Sequence, residues 1–348
     1  MGKPDCIILY NAATMKELPW SEEKIYPANL IREEVGPIEE SLRELGYHPA
    51  VISVDQFSKD LVLTLYRMAP RFVWNLCEEI QGNTDLEMCV AGLLDLMNIP
   101  YTGSGPLALG VALNKYRVKQ ILRASGIPAP RGYLCAVGQR VKPRALPRFP
   151  VIVKPVHEDA SLGINSNSVC RNLDQLERQV AYIHGVYRQD ALVDEFLDGR
   201  EFNVGVLIGQ EEQVLPISEI DFSRMPEHEP RIVSYRAKWD EDSVVCQCTV
   251  PICPADIPAR LENRIRQIAL RACKAIECRD YVRVDMRTDA RGNIYVLEVN
   301  PNPDLSPQAG FVRAARVAGL SYTDLVASIT QSALERGSKV PTTAYAFS

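Results

Sequence analysis

Four polar residues in the last third of the chain, Arg283, Asp285, Glu298 and Asn300, alternate with apolar ones in two runs joined by a turn at Asp289 to Asn293. Side chains two apart share one face of a strand. The stretch Tyr281 to Asn300 therefore reads as a β-hairpin, with Arg283 and Asp285 on one strand and Glu298 and Asn300 on the other. Val282, Val284, Leu297 and Val299 are expected to point the opposite way, into packing. Two carboxylates and an amide converging from paired strands are hard oxygen donors, and Mg²⁺ takes a few such ligands together with substrate phosphates. A solvent-facing hairpin carries the same alternation. Here, however, the polar residues interrupt a largely apolar run that closes on Pro301-Asn302-Pro303, as at the edge of a cleft.

Two lysines are placed to meet phosphate. Lys154 ends the apolar strand Pro150 to Pro155, and Lys115 lies in the helix that follows Pro106. After Lys154 comes a polar loop, His157 to Asn165, with small residues at Ala160, Ser161 and Gly163 whose backbone N–H groups could approach phosphate oxygens. It lacks the Gly-Lys-Ser/Thr ending of a P-loop. Taken singly, each feature also suits a surface lysine or an ordinary turn.

The elements that must carry these groups follow from periodicity. Cys6 to Tyr10, Val51 to Val54 and Phe72 to Leu76 read as strands. Ile31, Val35, Ile38, Leu42 and Leu45 mark an amphipathic helix ending at Gly46, and a further helix spans Asp85 to Met97. This βαβ succession implies a parallel sheet. It has no GxGxxG after its first strand, which disfavours a dinucleotide site. One helix is expected from Pro106 to Leu122, stopped by Gly126 and Pro128. Beyond it, short strands surround a helix at Leu173 to His184, continue near Val214 to Ile217 and Val244 to Thr249, and precede a long helix from Ile257 to Cys278. That pattern is α+β. The residues after Leu334 read as a polar, frayed tail.

Length and composition narrow the classes. With 348 residues the chain has room for two or three domains, and 46% hydrophobic with 24% charged residues is the balance of a globular protein. The formal charge of −5 gives nucleic-acid phosphate no overall attraction, so a small-molecule partner is expected. No apolar run is long enough to span a bilayer, so no membrane association is expected. The start, Met1 to Tyr10, has no signal-peptide pattern, which points to the cytoplasm. Ten scattered cysteines without a CxxC pair suggest reduced, buried thiols, and Cys246 and Cys248 share a strand-like stretch rather than a metal site.

The order of motifs resembles the ATP-grasp superfamily and, within it, the D-alanine:D-alanine ligase group. The resemblance runs from about Asn75 to Pro307 and rests on Pro100-Tyr-Thr-Gly-Ser-Gly105, Pro150-Val-Ile-Val-Lys-Pro155, Glu201-Phe-Asn-Val204, Arg283-Val-Asp285 and Leu297-Glu-Val-Asn300. It implies an ATP-grasp fold, α/β then α+β, with an N-terminal parallel-sheet substrate domain at 1–108, a central lobe at 109–197 and a C-terminal lobe with the metal site at 198–335. It also implies an ATP- and Mg²⁺-dependent ligase that joins amino-acid-like substrates through an acyl phosphate, and it allows a homodimer. Residue by residue, Lys115 and Lys154 would contact ATP phosphates, Asp194, Glu195 and Leu197 border the adenine, and Glu201 meet the ribose. Asp285, Glu298 and Asn300 would hold Mg²⁺, Arg283 would face the developing oxyanion, Ser161 matches the serine of the small-residue loop, and Lys238 matches a phosphate-contacting lysine in a loop over the site.

The departures concern substrate. The family's Gly-Gly-x-Ser-x-Glu pattern is replaced after Tyr10 by Asn11-Ala-Ala-Thr14, leaving Glu33 or Glu34 as the nearest substitute. Trp239 stands where a tyrosine follows the loop lysine, and Glu78 and Glu79 lie near the usual His-Gly pair. Pro301-Asn-Pro-Asp304 replaces Ser/Thr-Pro-Gly, and Ala309-Gly310 replaces the pair whose hydroxyl receives an acceptor carboxylate, with Ser306 the nearest alternative. These changes point away from D-alanine. True D-alanine:D-alanine ligase activity and a nucleotide-binding regulator without ligation are the rival readings, and the intact set from Lys115 to Asn300 argues against the second.

Overall fold

The computed structural model describes residues 4–12 and 30–339, with the side chains of 30–32 and 338–339 left aside. Three sheets organise the chain. The first is parallel, with β1 (Cys6–Tyr10) between β2 (Pro49–Ser53) and β3 (Phe72–Leu76). The helix Leu30–Glu44 covers one face through Ile38 and Leu42, both fully buried, while Leu45 is left exposed.

The second sheet is antiparallel: β4 (Gly132–Cys135), β5 (Val151–Pro155), β6 (Val169–Cys170) and β7 (Ala191–Glu195), in the order β4-β7-β5-β6. The helix Leu173–Val186 packs on it through Leu176, Val180 and Ile183. The third sheet contains β8 (Glu201–Ile208), β9 (Glu212–Val214), β10 (Ser218–Asp221), β11 (Val250–Ile252), β12 (Asp280–Thr288) and β13 (Ile294–Asn300). Its order is β11-β10-β8-β12-β13, with β9 also paired to β8. Val282, Val284, Met286, Val296 and Val299 turn from it onto the helix Ala259–Ile276, whose Ile265, Ile268, Ala269 and Ala272 complete the largest core cluster. Fully burying a valine, isoleucine or methionine side chain of this kind stabilises the fold by about 1.5–3 kcal/mol.

Several expectations are corrected. The single helix after Pro106 is two, Pro106–Ala112 and Lys115–Ala124, because Asn114 caps the second by accepting a hydrogen bond from Arg117 N at 2.9 Å. Val244 to Thr249 is not a strand. Ser243 caps a short helix, Val244–Gln247, so Cys246 and Cys248 are not same-face strand neighbours. Of the strand expected near Val214 to Ile217, Val214 ends β9 and residues 215–217 connect it to β10, with Leu215 and Ile217 buried. Leu297 does not alternate into the core: Asp285 pairs with Glu298 and Met286 with Val296, which makes Leu297 the extra residue of a bulge and puts Val296 in the packing position.

The tail after Leu334 is helical to Lys339. Arg336 anchors it, donating to the buried Asp280 carboxylate and to Tyr101 O at 2.7 Å. The same Asp280 accepts from Gly103 N at 2.8 Å, so the Pro100 to Gly105 motif docks on the start of β12. Gly103 is required there: its φ is +92°, and a Cβ would lie 2.8 Å from Asn302 Oδ1. All ten cysteines are free thiols, six of them buried.

Candidate active site

The β12–β13 hairpin sets Arg283 opposite Asn300 and Asp285 opposite Glu298. Because Arg283 and Asp285 share a face, the guanidinium forks onto the carboxylate with contacts of 2.8 and 2.9 Å. Asn203 of β8, which pairs with Asp285, adds a third donor at 2.7 Å. Asn300 turns its Oδ1 to Asn302 N at 3.0 Å.

Lys115, at the first turn of its helix, reaches the hairpin from the other side. Its ammonium lies 3.7 Å from Glu298 and donates to Glu158 O at 2.6 Å and Asp159 Oδ1 at 2.5 Å. Burial opposes the charge on Glu298, but Lys115, Lys154 and Arg283 outweigh it and hold the carboxyl at about 2. Glu298 is therefore ionised throughout the working pH range. Asp285, Glu298 and Asn300 together offer oxygen donors that fit Mg²⁺: an ionised carboxylate near three cations, with lone pairs beyond those its neighbours use.

Lys154, near the end of β5, stands 3.4 Å from Asp194 on β7. Asp194 also accepts from Lys119, a residue absent from the sequence reading. Lys119 sits one turn after Lys115 and is 1% exposed, and burial lowers its ammonium to about 7 despite the Asp194 carboxylate. The i, i+4 spacing of two lysines on a helix was the signal for it. The other Asp194 oxygen, Oδ1, is buried without a hydrogen-bond partner among the described residues, beside Gly132, where a Cβ would lie 2.5 Å away. Glu195 faces the opposite side of β7 and caps Arg131 N at 2.9 Å, so the structure does not gather it with the lysines. Leu197 is buried just beyond the strand.

Glu201, at the start of β8, is buried and pairs with Arg287 at 3.0 Å. Burial raises its carboxyl and Arg287 partly offsets this. Arg287, held between the rings of Phe196 and Phe222, is a second residue the sequence reading passed over. It continues the same-face series Arg283, Asp285, Arg287, which was the available signal.

The loop after β5 is left-handed at both Ala160 and Ser161, with φ of 53° and 65°. Such conformations are costly for residues with a Cβ and concentrate at functional loops. Lys238, expected in a loop, lies on a short helix, Tyr235–Trp239, capped by Ser234. That helix is fastened over the strained loop: Trp239 Nε1 donates to Ala160 O at 3.1 Å and Tyr235 N to Ile164 O at 2.9 Å. The Lys238 ammonium stands 4.9 Å from the Trp239 ring centre, lowered by the protein around it and by Arg283.

At the C-terminal end of β3 the character changes. Asn11 clamps the loop that carries Glu78 and Glu79, accepting from Glu78 N at 2.7 Å and Glu79 N at 3.1 Å and donating to Val54 O and Glu79 O. Of the two expected glutamates, Glu33 is exposed and Glu34 is buried, accepting from Leu305 N at 2.6 Å. Ala13 and Thr14 lie outside the described residues. Ala309 and Gly310 open the helix Gly310–Val317 and bring no hydroxyl there.

Comparison with known proteins identifies the family. The family model described as the D-ala D-ala ligase C-terminus matches residues 138–331. An uncharacterized protein, y4sG, from Sinorhizobium fredii is 36% identical over 304 residues, covering 85% of this chain and 86% of that protein. D-alanine–D-alanine ligase from Stutzerimonas stutzeri is 34% identical over 259 residues, covering 74% and 77%. Among solved structures, the ATP complex of D-alanine–D-alanine ligase from Bacillus anthracis superposes with a TM-score of 0.72 at 21% identity, covering 96% of this chain and 98% of that one. The Coxiella burnetii ligase gives the same TM-score at 18% identity, covering 97% and 96%. With this architecture, and with matches of this extent, the chain belongs to the D-alanine–D-alanine ligase family of ATP-grasp ligases.

Proposed function

We propose that the chain joins two small amino-acid-like substrates, one through its carboxylate and one through its amine, using ATP and Mg²⁺ and releasing ADP and phosphate. The observation that carries this reading is the hairpin itself, where Arg283 paired with Asp285 stands beside Glu298 and Asn300, and Glu298 lies 3.7 Å from Lys115. In this reading Lys115, Lys154 and Lys238 meet the phosphates, and Glu201 meets the ribose. The unpaired Asp194 Oδ1 supports the adenine assignment, since a buried acceptor is short of a donor such as an amino group. Asp285, Glu298 and Asn300 would hold Mg²⁺, which neutralises charge on the phosphates when bound.

The carboxylate substrate attacks the γ-phosphate to give an acyl phosphate and ADP, and the amine then displaces phosphate to form the amide. Arg283, held in place by Asp285, donates to the oxygen that gains charge in the tetrahedral intermediate. Ser161, on the strained loop, and the Trp239-tethered helix close over the reacting atoms and exclude water. A cytoplasmic location belongs to the same reading, since the reaction proposed draws on ATP. A homodimer belongs to the same reading and is checked by light scattering.

A second reading, D-alanine:D-alanine ligation, is favoured by the names of relatives at 30–34% identity. Ala309 and Gly310 weigh against it, because no side-chain hydroxyl stands there for the acceptor carboxylate. Phosphate release measured with ATP, Mg²⁺ and a panel of amino acids separates the two. D-alanine is expected to be a poor substrate, and a kcat/KM for D-alanine at or above the rest of the panel would establish the second reading instead.

A further inference from the structure

Beside the end of β3 the chain encloses a small cavity lined by Glu34, Asn75, Glu78, Tyr281 and Asn302, of about 10 Å³, room for a single water-sized group. Carboxyls from three distant elements gather around it. Glu34, 8% exposed, comes from the first helix and lies against the Asp304 carboxyl, and Glu78 is presented by the Asn11 clamp. The Glu78 carboxylate makes no hydrogen bond within the described residues. Tyr281, on β12, is 2% exposed and lines the cavity, and Asn302 Oδ1, in the same lining, is buried without a hydrogen-bond partner among the described residues.

A buried acceptor left unpaired is unfavourable, as is crowding carboxyls in a site of low polarity, so the cavity suits an occupant that offsets both. An anion is excluded by the carboxyls. Among the described residues no group of three or more His, Cys, Asp or Glu side chains is arranged to hold a metal ion. An ammonium group has the size of a water molecule, a positive charge and three donors, matching two carboxyls and a phenol oxygen.

We propose that this cavity seats the side-chain ammonium of a diamino substrate, so that the enzyme selects an amino acid carrying a second, distal amine. This rests on the ligase reading above for the occupant's being a substrate. The cavity admits only the tip of a side chain, and the ammonium held there stays charged. It anchors the substrate, while the reacting carboxyl or amine lies toward the hairpin, on the far side of Asp304.

The test is calorimetric binding of matched pairs that differ only in the distal amine, lysine against norleucine and ornithine against norvaline, each in both enantiomers. At least one amine-bearing member is expected to bind 10-fold or more tighter than its partner. The preference is expected to fall below 3-fold in Glu78→Gln and to weaken in Tyr281→Phe, which serves if the first variant does not fold. Equal binding within both pairs, or a preference unchanged in these variants, overturns the proposal. ADP formation is followed with the same compounds. Turnover without any preference for the amine removes the cavity's role and leaves the ligase reading standing, whereas amine-dependent binding without ADP from any pair of amino acids does the reverse.

Discussion

At the hairpin each carboxylate faces a cation: Asp285 is gripped by Arg283, and Glu298 lies beside Lys115 with Lys154 and Arg283 in reach. At the cavity by β3 the carboxyls face one another. Glu34 abuts Asp304, Glu78 feels Asp159, Asp304 and Glu79, and Lys238 is the cation that acts on Glu78 against them. The consequences are opposite. Glu298 is held at about 2, whereas burial and its acidic neighbours push Glu78 up to about 7. One region is balanced before any ligand arrives, and the other is balanced by what it binds.

The sharpest way to break the hairpin half of this contrast is Glu298→Ala. Its side chain is turned from the apolar cluster that holds β13, so the circular dichroism spectrum is expected to be unchanged while Mg²⁺-dependent turnover is lost, on the order of 10³-fold or more. Turnover at the normal rate in a folded variant would remove Glu298 from the metal set. Next comes Arg283→Ala, expected to lower kcat on the order of 10²-fold, about 3 kcal/mol, with ATP affinity little changed. A defect that resides wholly in ATP binding would assign Arg283 to the nucleotide instead.

Lys119→Met probes a third arrangement, a fully buried pair. Removing one partner leaves Asp194 with only the more distant Lys154, and a loss of about 3 kcal/mol in urea unfolding is expected, with weaker ATP binding. Unaltered stability would show that Lys154 suffices.

The smallest effect lies in the acidic cavity and depends on pH. The folded-state pKa of Glu78, about 7, stands above its ordinary 4.5, so the native state keeps a proton that the unfolded chain releases. Stability from this group is complete below about 4.5 and is lost as pH rises through 7. Glu78→Gln should therefore be near neutral at pH 4.5 and stabilising by about 2 kcal/mol at pH 8, less than the full shift because Glu78 is only partly buried. Equal effects of the substitution at both pH values would contradict the crowding.

The hairpin was legible because its information is local. Alternation over Tyr281 to Asn300 put Arg283 with Asp285 and Glu298 with Asn300, while apolar runs placed the strands of the first sheet and the helical period placed the core of the helix Ala259–Ile276. The bulge at Leu297 was hidden because register depends on the partner strand. The break at Asn114 and the helix at Val244–Gln247 were missed because a single capping side chain overrode an apolar pattern. Lys119 and Arg287 lay on visible periods but look like surface residues until burial is known. The acidic cavity was the least legible part, since Glu34, Glu78, Tyr281 and Asp304 come from four separate elements and only tertiary packing brings them together.

In the proposed reaction the hairpin assembles phosphoryl transfer from ATP to a carboxylate. The most direct measurement uses a carboxylate substrate labelled with ¹⁸O in both carboxyl oxygens, incubated with ATP, Mg²⁺ and the amine, followed by mass analysis of the released phosphate. One ¹⁸O per phosphate, with ADP as the nucleotide product in equal amount, is the predicted result. Unlabelled phosphate, or AMP and pyrophosphate with the label carried into AMP, would contradict it.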